Sequence, residues 1–277
     1  MKIKGKTAIV SGASRGVGKA VALKLAKYGV NLALVARERD KLEEVAGQAE
    51  KLGSKVLVVV CDVTDSNQVK SAVQTVIQAL GPVHILVNSA GFGVWKPFSE
   101  ISDQEHQKMM QTNYWGTYNF IRAILPSMLA NKQGHIVNIS SGTGKFALSV
   151  TSGYSASKFA VSGLSEALYR ELRFTGVKVS CLHPGSIKTE FWNEQNTPQK
   201  YLPATIRLSP KISPEKVARA VCYCLWLGFP AYTFPIFVAI LAKLNALWLR
   251  LGDIIMWRWF YLALAILILL LILKRVL

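Results

Sequence analysis

The stretch Thr7-Ala8-Ile9-Val10-Ser11-Gly12-Ala13-Ser14-Arg15-Gly16-Val17-Gly18 carries an apolar run straight into a glycine-spaced loop. Residues 7–11 read as a strand, and residues 16–28 as a helix stopped by Gly29. A strand that turns sharply into a helix aims the helix's unpaired N–H groups and positive dipole end at the turn. Gly12 permits the tight turn, and Gly16 and Gly18 let backbone come close to a pyrophosphate. Such spacing is weak evidence alone. Set between a first strand and a first helix, it becomes strong.

The alternation continues outward. Strands are expected at 31–35, 55–61, 85–88, 135–140 and 178–183. Helices are expected at 40–52, from a capping box Asp65-x-x-Gln68 to Leu80, from a second box Ser102-x-x-Glu105 in pieces to about Ala130, and at 154–174. Ser213-Pro214 opens a further helix to about Leu227, and residues 231–234 form a short last strand. The strands are apolar runs, so both of their faces are covered. This pattern implies an α/β fold with a parallel sheet, right-handed crossovers and helices on both faces.

Ser141 ends one strand, and Tyr154 and Lys158 lie four apart on the next helix, on one face. A free phenol, with a pKa near ~10, is a poor acid at neutral pH. A neighbouring ammonium favours the phenolate, so the spacing predicts that Lys158 lowers the pKa of Tyr154.

These residues, in the stretch 140–158, resemble the active site of the short-chain dehydrogenase/reductase family. The resemblance covers about residues 5 to 220. Residues 11–18 resemble the family's cofactor loop, Asn88-Ser89-Ala90-Gly91 its Asn-Asn-Ala-Gly, and Pro184-Gly185 with Thr189 its Pro-Gly-x-x-x-Thr loop. Ser11 and Ser89 depart from the usual Thr and Asn, in each case for another small polar residue. The resemblance implies a Rossmann-type doubly wound sheet and a nicotinamide-dependent oxidoreductase acting on CH–OH and C=O groups. It implies Asn113, Ser141, Tyr154 and Lys158 as catalytic residues, with Asn113 holding a water in a proton relay. Cofactor contacts are implied for Gly12, Ser14, Arg15, Gly16, Val17, Gly18, Arg37, Asp62, Val63, Asn88, Ala90, Gly91, Tyr154, Lys158, Pro184, Gly185, Ile187 and Thr189. A homodimer or homotetramer follows by the same analogy. No acid ends the second strand, where NAD-binding units carry one; Val35-Ala36-Arg37 stands there. Arg15 and Arg37 suit a 2′-phosphate, so NADP(H) is expected over NAD(H), with Glu38 as the complication.

The 277 residues suffice for one large α/β domain, and 51% of them are hydrophobic, with the excess at the C-terminal end. The net charge of +17 suits anionic lipid, a phosphorylated cofactor or an acidic carrier protein. No basic helix, finger spacing or aromatic-basic platform points to nucleic acid. Cys61, Cys181, Cys222 and Cys224 read as reduced core thiols, and no metal site is expected. His183 reads as a strand-end histidine satisfied by backbone. The N-terminus leads directly into the first strand without a signal peptide.

The catalytic unit is expected over residues 1–235 and a membrane-anchoring tail over 236–277. Phe237, Ile240, Leu241, Leu244, Leu247, Trp248 and Leu251 fall on one helical stripe suited to a membrane interface, or to packing on the protein's own core or a dimer mate. Residues 254–273 form a stretch that is apolar but for Arg258, which can snorkel to the headgroups, with Trp257, Trp259 and Tyr261 at one end and Lys274-Arg275 at the other. These features imply a single C-terminal anchor, spanning or partly embedded; basic residues flank both ends and set no orientation, and the catalytic unit is expected on the cytoplasmic side. An active site beside a bilayer suits a lipophilic ketone or alcohol: a keto lipid, a steroid-like ketone or a fatty acyl ketone. Two alternatives are a tethered ketoacyl-carrier-protein reductase and a non-catalytic nucleotide-binding scaffold. The second has no use for an intact proton relay. Residues 191–210 are the expected substrate lid.

Overall fold

The computed structural model describes residues 1–191, 198–202 and 209–247. A seven-stranded, all-parallel sheet runs in the order β3-β2-β1-β4-β5-β6-β7. Its strands are β1 (Thr7–Ser11), β2 (Asn31–Ala36), β3 (Val56–Val60), β4 (Val83–Asn88), β5 (Gly134–Ile139), β6 (Val177–Pro184) and β7 (Ala231–Phe234). The helices are α1 (Gly16–Ala26), α2 (Arg39–Glu50), α3 (Ser66–Leu80), α4 (Asp103–Met110), α5 (Gly116–Ala130), α6 (Ser152–Glu171), α7 (Pro214–Leu227) and α8 (Ile236–Leu247).

Period-two alternation sorts the strands onto two cores. Ala8, Val10, Leu32 and Leu34 pack with Leu25 of α1, Leu42 of α2 and Val221 of α7. Ile9, Ala33 and Val35 face the other way, onto Val69 of α3, Phe120 of α5 and Leu168 of α6. Both faces of the central strands are therefore apolar, as their sequence requires. The edge strand β3 departs from that expectation: it is only half-buried, and Val60 is exposed.

The caps follow the sequence in most places. Ser102 and Glu105 close a reciprocal capping box on α4. Ser213 caps α7, and Gly228 ends it in a left-handed conformation. Asp65 caps α3 through Asn67 and Gln68 N–H, but the side-chain carbonyl of Gln68 accepts from Asp62 N–H rather than completing a box. Between α4 and α5, residues Gln111–Trp115 widen into one turn of π-helix.

β1 and β4 are neighbours, yet the chain leaves β1 toward β2 and leaves β4 toward β5. Their carboxyl ends thus diverge, and open α/β sheets hold ligands in that crevice. Among the described residues no helix is long and apolar enough to cross a membrane. The apolar stretch 254–273 lies outside the described residues.

Candidate active site

The glycine loop is built by close approach. Gly12 has φ +66°, and a Cβ there would lie 2.8 Å from the backbone of Ala90. A Cβ on Gly18 would collide with the carbonyl oxygen of Gly12. Ser11 locks the loop to the end of β4: its hydroxyl accepts from Ser89 N–H at 3.1 Å and Ala90 N–H at 3.2 Å. The serine at this departure from the family pattern therefore still does structural work. α1 begins without a side-chain cap and without an acid in its first turn, so its N-terminus is open to an anion. A dinucleotide pyrophosphate fits that donor set.

This loop forms one end of a cavity of about 1100 Å³. Gly12, Ser14, Arg15, Gly16, Val17 and Gly18 line it, as do Arg37, Asp62, Val63, Ala90 and Gly91. Ser141, Tyr154, Lys158, Pro184, Gly185, Ile187 and Thr189 also line it, and Thr189 comes close to the loop: a Cβ on Gly16 would lie 3.4 Å from its methyl. Two expected residues are not on its wall. Asn88 is buried behind it, donating to the side-chain carbonyl of Asn138 at 2.8 Å. Asn113 is also buried; its side chain accepts from Phe92 N–H and donates to Phe92 C=O and the Ser157 hydroxyl, each at 2.8 Å. The Asn113 side chain thus clamps the loop after β4. A Cβ on Gly91 would lie 3.4 Å from Asn113 Oδ1 and 3.6 Å from Lys158 Nζ, so the clamp stands beside the lysine.

Tyr154 and Lys158 share one face of α6, and the ammonium sits 5.8 Å from the phenol ring centroid. Lys158 Nζ donates to Ile139 C=O at 2.9 Å. The direction of the tyrosine's shift contradicts the sequence expectation. Burial pushes the Tyr154 phenol up to about 12, opposed only by a hydrogen bond with Ser141. Burial lowers the Lys158 ammonium to about 8. Desolvation of the phenolate outweighs whatever the ammonium contributes, because both groups are almost fully buried. Tyr154 is therefore a protonated phenol across the physiological range, the form an acid catalyst needs. Ser141 Oγ accepts from Thr143 N–H at 3.2 Å and Thr143 O–H at 3.0 Å, which leaves its own proton for Tyr154 or for a substrate oxygen.

At the glycine-loop end, Arg15 stands 3.8 Å from both Glu38 and Glu190, and Arg37 stands 4.0 Å from Asp62. These are long, solvent-exposed pairs, worth at most about 1 kcal/mol, so a phosphate can compete for either guanidinium. Lys41, more than either arginine, holds the Glu38 carboxyl below its ordinary value. Asp62 accepts from Thr64 N–H at 2.9 Å and Thr64 O–H at 2.8 Å and keeps one edge on the cavity.

His183 is not satisfied by backbone. Its Nε2 lies 3.1 Å from Ser162 Oγ and 3.4 Å from Cys181 Sγ, and burial drives its pKa to about 3. The four cysteines are buried free thiols.

Sequence reasoning placed Phe191 at the start of the lid but missed Trp95, Phe146 and Leu148 at the apolar end of the site. Trp95 and Phe191 lie with ring centroids 6.0 Å and 5.6 Å from Tyr154, and Phe146 and Leu148 add to the wall. Phe237, Ile240, Leu241 and Leu244 of α8 line the same cavity. The stripe expected at a membrane interface is thus, over these four residues, a wall of the active site. Val238 is buried, and a Cβ on Gly142 or Gly185 would lie 2.8 Å or 3.1 Å from its methyls. A helical spacing says which residues share a face, not what that face meets.

A seven-stranded parallel sheet, a glycine loop at its switch point and a Ser-Tyr-Lys group beside it agree with the family model described as short chain dehydrogenase, which matches residues 6–200. The chain belongs to the short chain dehydrogenase family. Like other members, it is an oxidoreductase acting on carbonyl and hydroxyl groups. A 3-dehydrosphinganine reductase of Danio rerio is 34% identical over 227 residues, 80% of this chain and 68% of the relative. The solved structure of an actinorhodin polyketide ketoreductase with NADPH superimposes with a TM-score of 0.76 at 29% identity, covering 82% of this chain and 95% of that one. A short chain dehydrogenase/reductase of Burkholderia phymatum, in complex with NAD, reaches 0.83 at 26% identity, covering 91% and 96%.

Proposed function

We propose that this short chain dehydrogenase is an NADP(H)-dependent reductase of lipophilic ketones that works at a membrane, with its catalytic unit on the cytoplasmic side. The observation that carries the chemistry is the single cavity holding Ser141, Tyr154 and Lys158 at one end and the open N-terminus of α1 at the other. The residues that would hold the cofactor are the glycine loop, Arg15 and Arg37, with Lys158 toward the ribose and Pro184, Ile187 and Thr189 around the nicotinamide. The chemistry a bound reduced nicotinamide supplies is a hydride for the carbonyl carbon. As charge gathers on the carbonyl oxygen, the Tyr154 phenol gives it a proton, and Ser141 O–H steadies the same oxygen. The phenolate left behind is stabilised by the nearby Lys158 ammonium. That ammonium, with its pKa near 8, can return the proton. Asn113 keeps the loop over this group in place.

Two guanidinium groups at the ribose end, and no carboxylate ending β2, support NADP(H). The name of the zebrafish relative supports a keto lipid. The membrane part rests on the apolar stretch 254–273 with its aromatic and basic flanks. The position of α8 also supports it, since α8 leaves the carboxyl edge of the sheet, the edge that bears the cavity. The similarity to a polyketide ketoreductase and the basic charge favour a second reading, reduction of carrier-bound ketoacyl chains. NADPH oxidation by detergent-solubilised enzyme with free keto lipids and with ketoacyl-carrier thioesters separates the two. The proposal expects turnover of the free lipids; turnover of the thioesters alone would refute it.

A further inference from the structure

We infer that α8 is the specificity element of the site, and that its cavity face receives the unbranched hydrocarbon tail of the substrate. The inference rests on the reading that Ser141 and Tyr154 act on a carbonyl. Phe237, Ile240, Leu241 and Leu244 line the cavity and are spaced i, i+3, i+4, i+7. From 237 to 244 that strip runs about 10 Å along the helix axis. No polar or charged side chain interrupts it: Lys243 and Asn245 fall off the stripe. Val238 pins the start of the helix. It is buried against Gly142, the residue after the catalytic serine, and against Gly185. The start of the strip therefore lies near the catalytic serine. A continuous apolar strip of this length matches a linear hydrocarbon chain lying along it. Tail length is then read by how far the chain covers α8.

The test uses the full-length, detergent-solubilised enzyme with NADPH and a series of linear methyl ketones. Within the series, kcat/KM rises about fourfold per added methylene, equivalent to about 0.8 kcal/mol, and levels off when the strip is covered. Leu244→Trp moves that plateau to shorter chains, measured as the long-to-short ratio within the variant. Ile240→Trp does the same, should the first variant fold poorly. Calorimetric affinities of the same ketones for the cofactor-free enzyme break at the same chain length. Three results overturn the inference: no dependence on chain length, an unmoved plateau in both variants, or preference for a rigid fused-ring ketone of equal carbon count. Chain-length-dependent binding without turnover of any ketone would leave the strip standing and refute the reductase reading. Turnover without chain-length dependence would do the reverse.

Discussion

Replacing Lys158 by methionine should abolish activity and relieve a folding cost, and the relief has a pH signature. Lys158 is buried, and desolvation lowers its ammonium from 10.5 to about 8 in the folded chain. In the unfolded chain it titrates near its ordinary value. Below pH 8 both states are protonated, and folding buries the charge at a cost of about 3 kcal/mol. Between pH 8 and 10.5 the unfolded state binds more protons than the folded one, so stability rises with pH. Its slope has the same sign as that of a salt-bridged carboxylate, whose folded pKa is also depressed, but it falls in the alkaline range. From pH 7 to 9.5 the wild type should gain about 2 kcal/mol relative to Lys158→Met. The comparison across pH removes the lost hydrogen bond to Ile139, which affects both conditions alike. Urea titrations of cofactor-free protein at the two pH values measure it. A stability difference between wild type and variant that does not change with pH would refute the burial argument.

Arg37→Ala should lower kcat/KM for NADPH about 10- to 100-fold, the worth of a charge-assisted phosphate contact, with NADH little changed; steady-state kinetics with both cofactors checks it. Gly18→Ala drives a methyl into the Gly12 carbonyl and should destabilise the chain by about 3 kcal/mol, read from the urea midpoint. Asn113→Ala frees the Phe92 loop and leaves buried groups unpaired, at about 2 kcal/mol. Its Tm should fall about 4–8 °C with a matching loss in kcat, followed by thermal melts and turnover.

The parts of this protein that were legible in its sequence are those set by local chemistry. The glycines of residues 12–18, the caps Ser102 and Ser213 and the apolar strand runs each act within a few residues of themselves, and each stands where expected. Tyr154 and Lys158 were readable because four residues of helix put them on one face. The rest depends on partners distant in sequence. Whether Tyr154 titrates up or down turns on Trp95 and Phe191 closing over it, 59 and 37 positions away by residue number. Asn113 could be recognised as a site residue, but its work is to hold Phe92, a contact that only the packed loop reveals. The α8 stripe is the plainest case. An apolar face reads the same whether it meets lipid, core or substrate; only the packed structure shows that Phe237, Ile240, Leu241 and Leu244 line the cavity.

The reaction assigned to this site depends on a single proton. The most direct measurement is NADPH oxidation by Tyr154→Phe with a lipid ketone, run beside a titration of cofactor binding. The phenol is the acid, and the remainder of the cavity is untouched by the change. Binding within a few-fold of wild type, with turnover reduced to background, is the expected result. A variant that still reduces the ketone at a comparable rate would show that the proton comes from elsewhere.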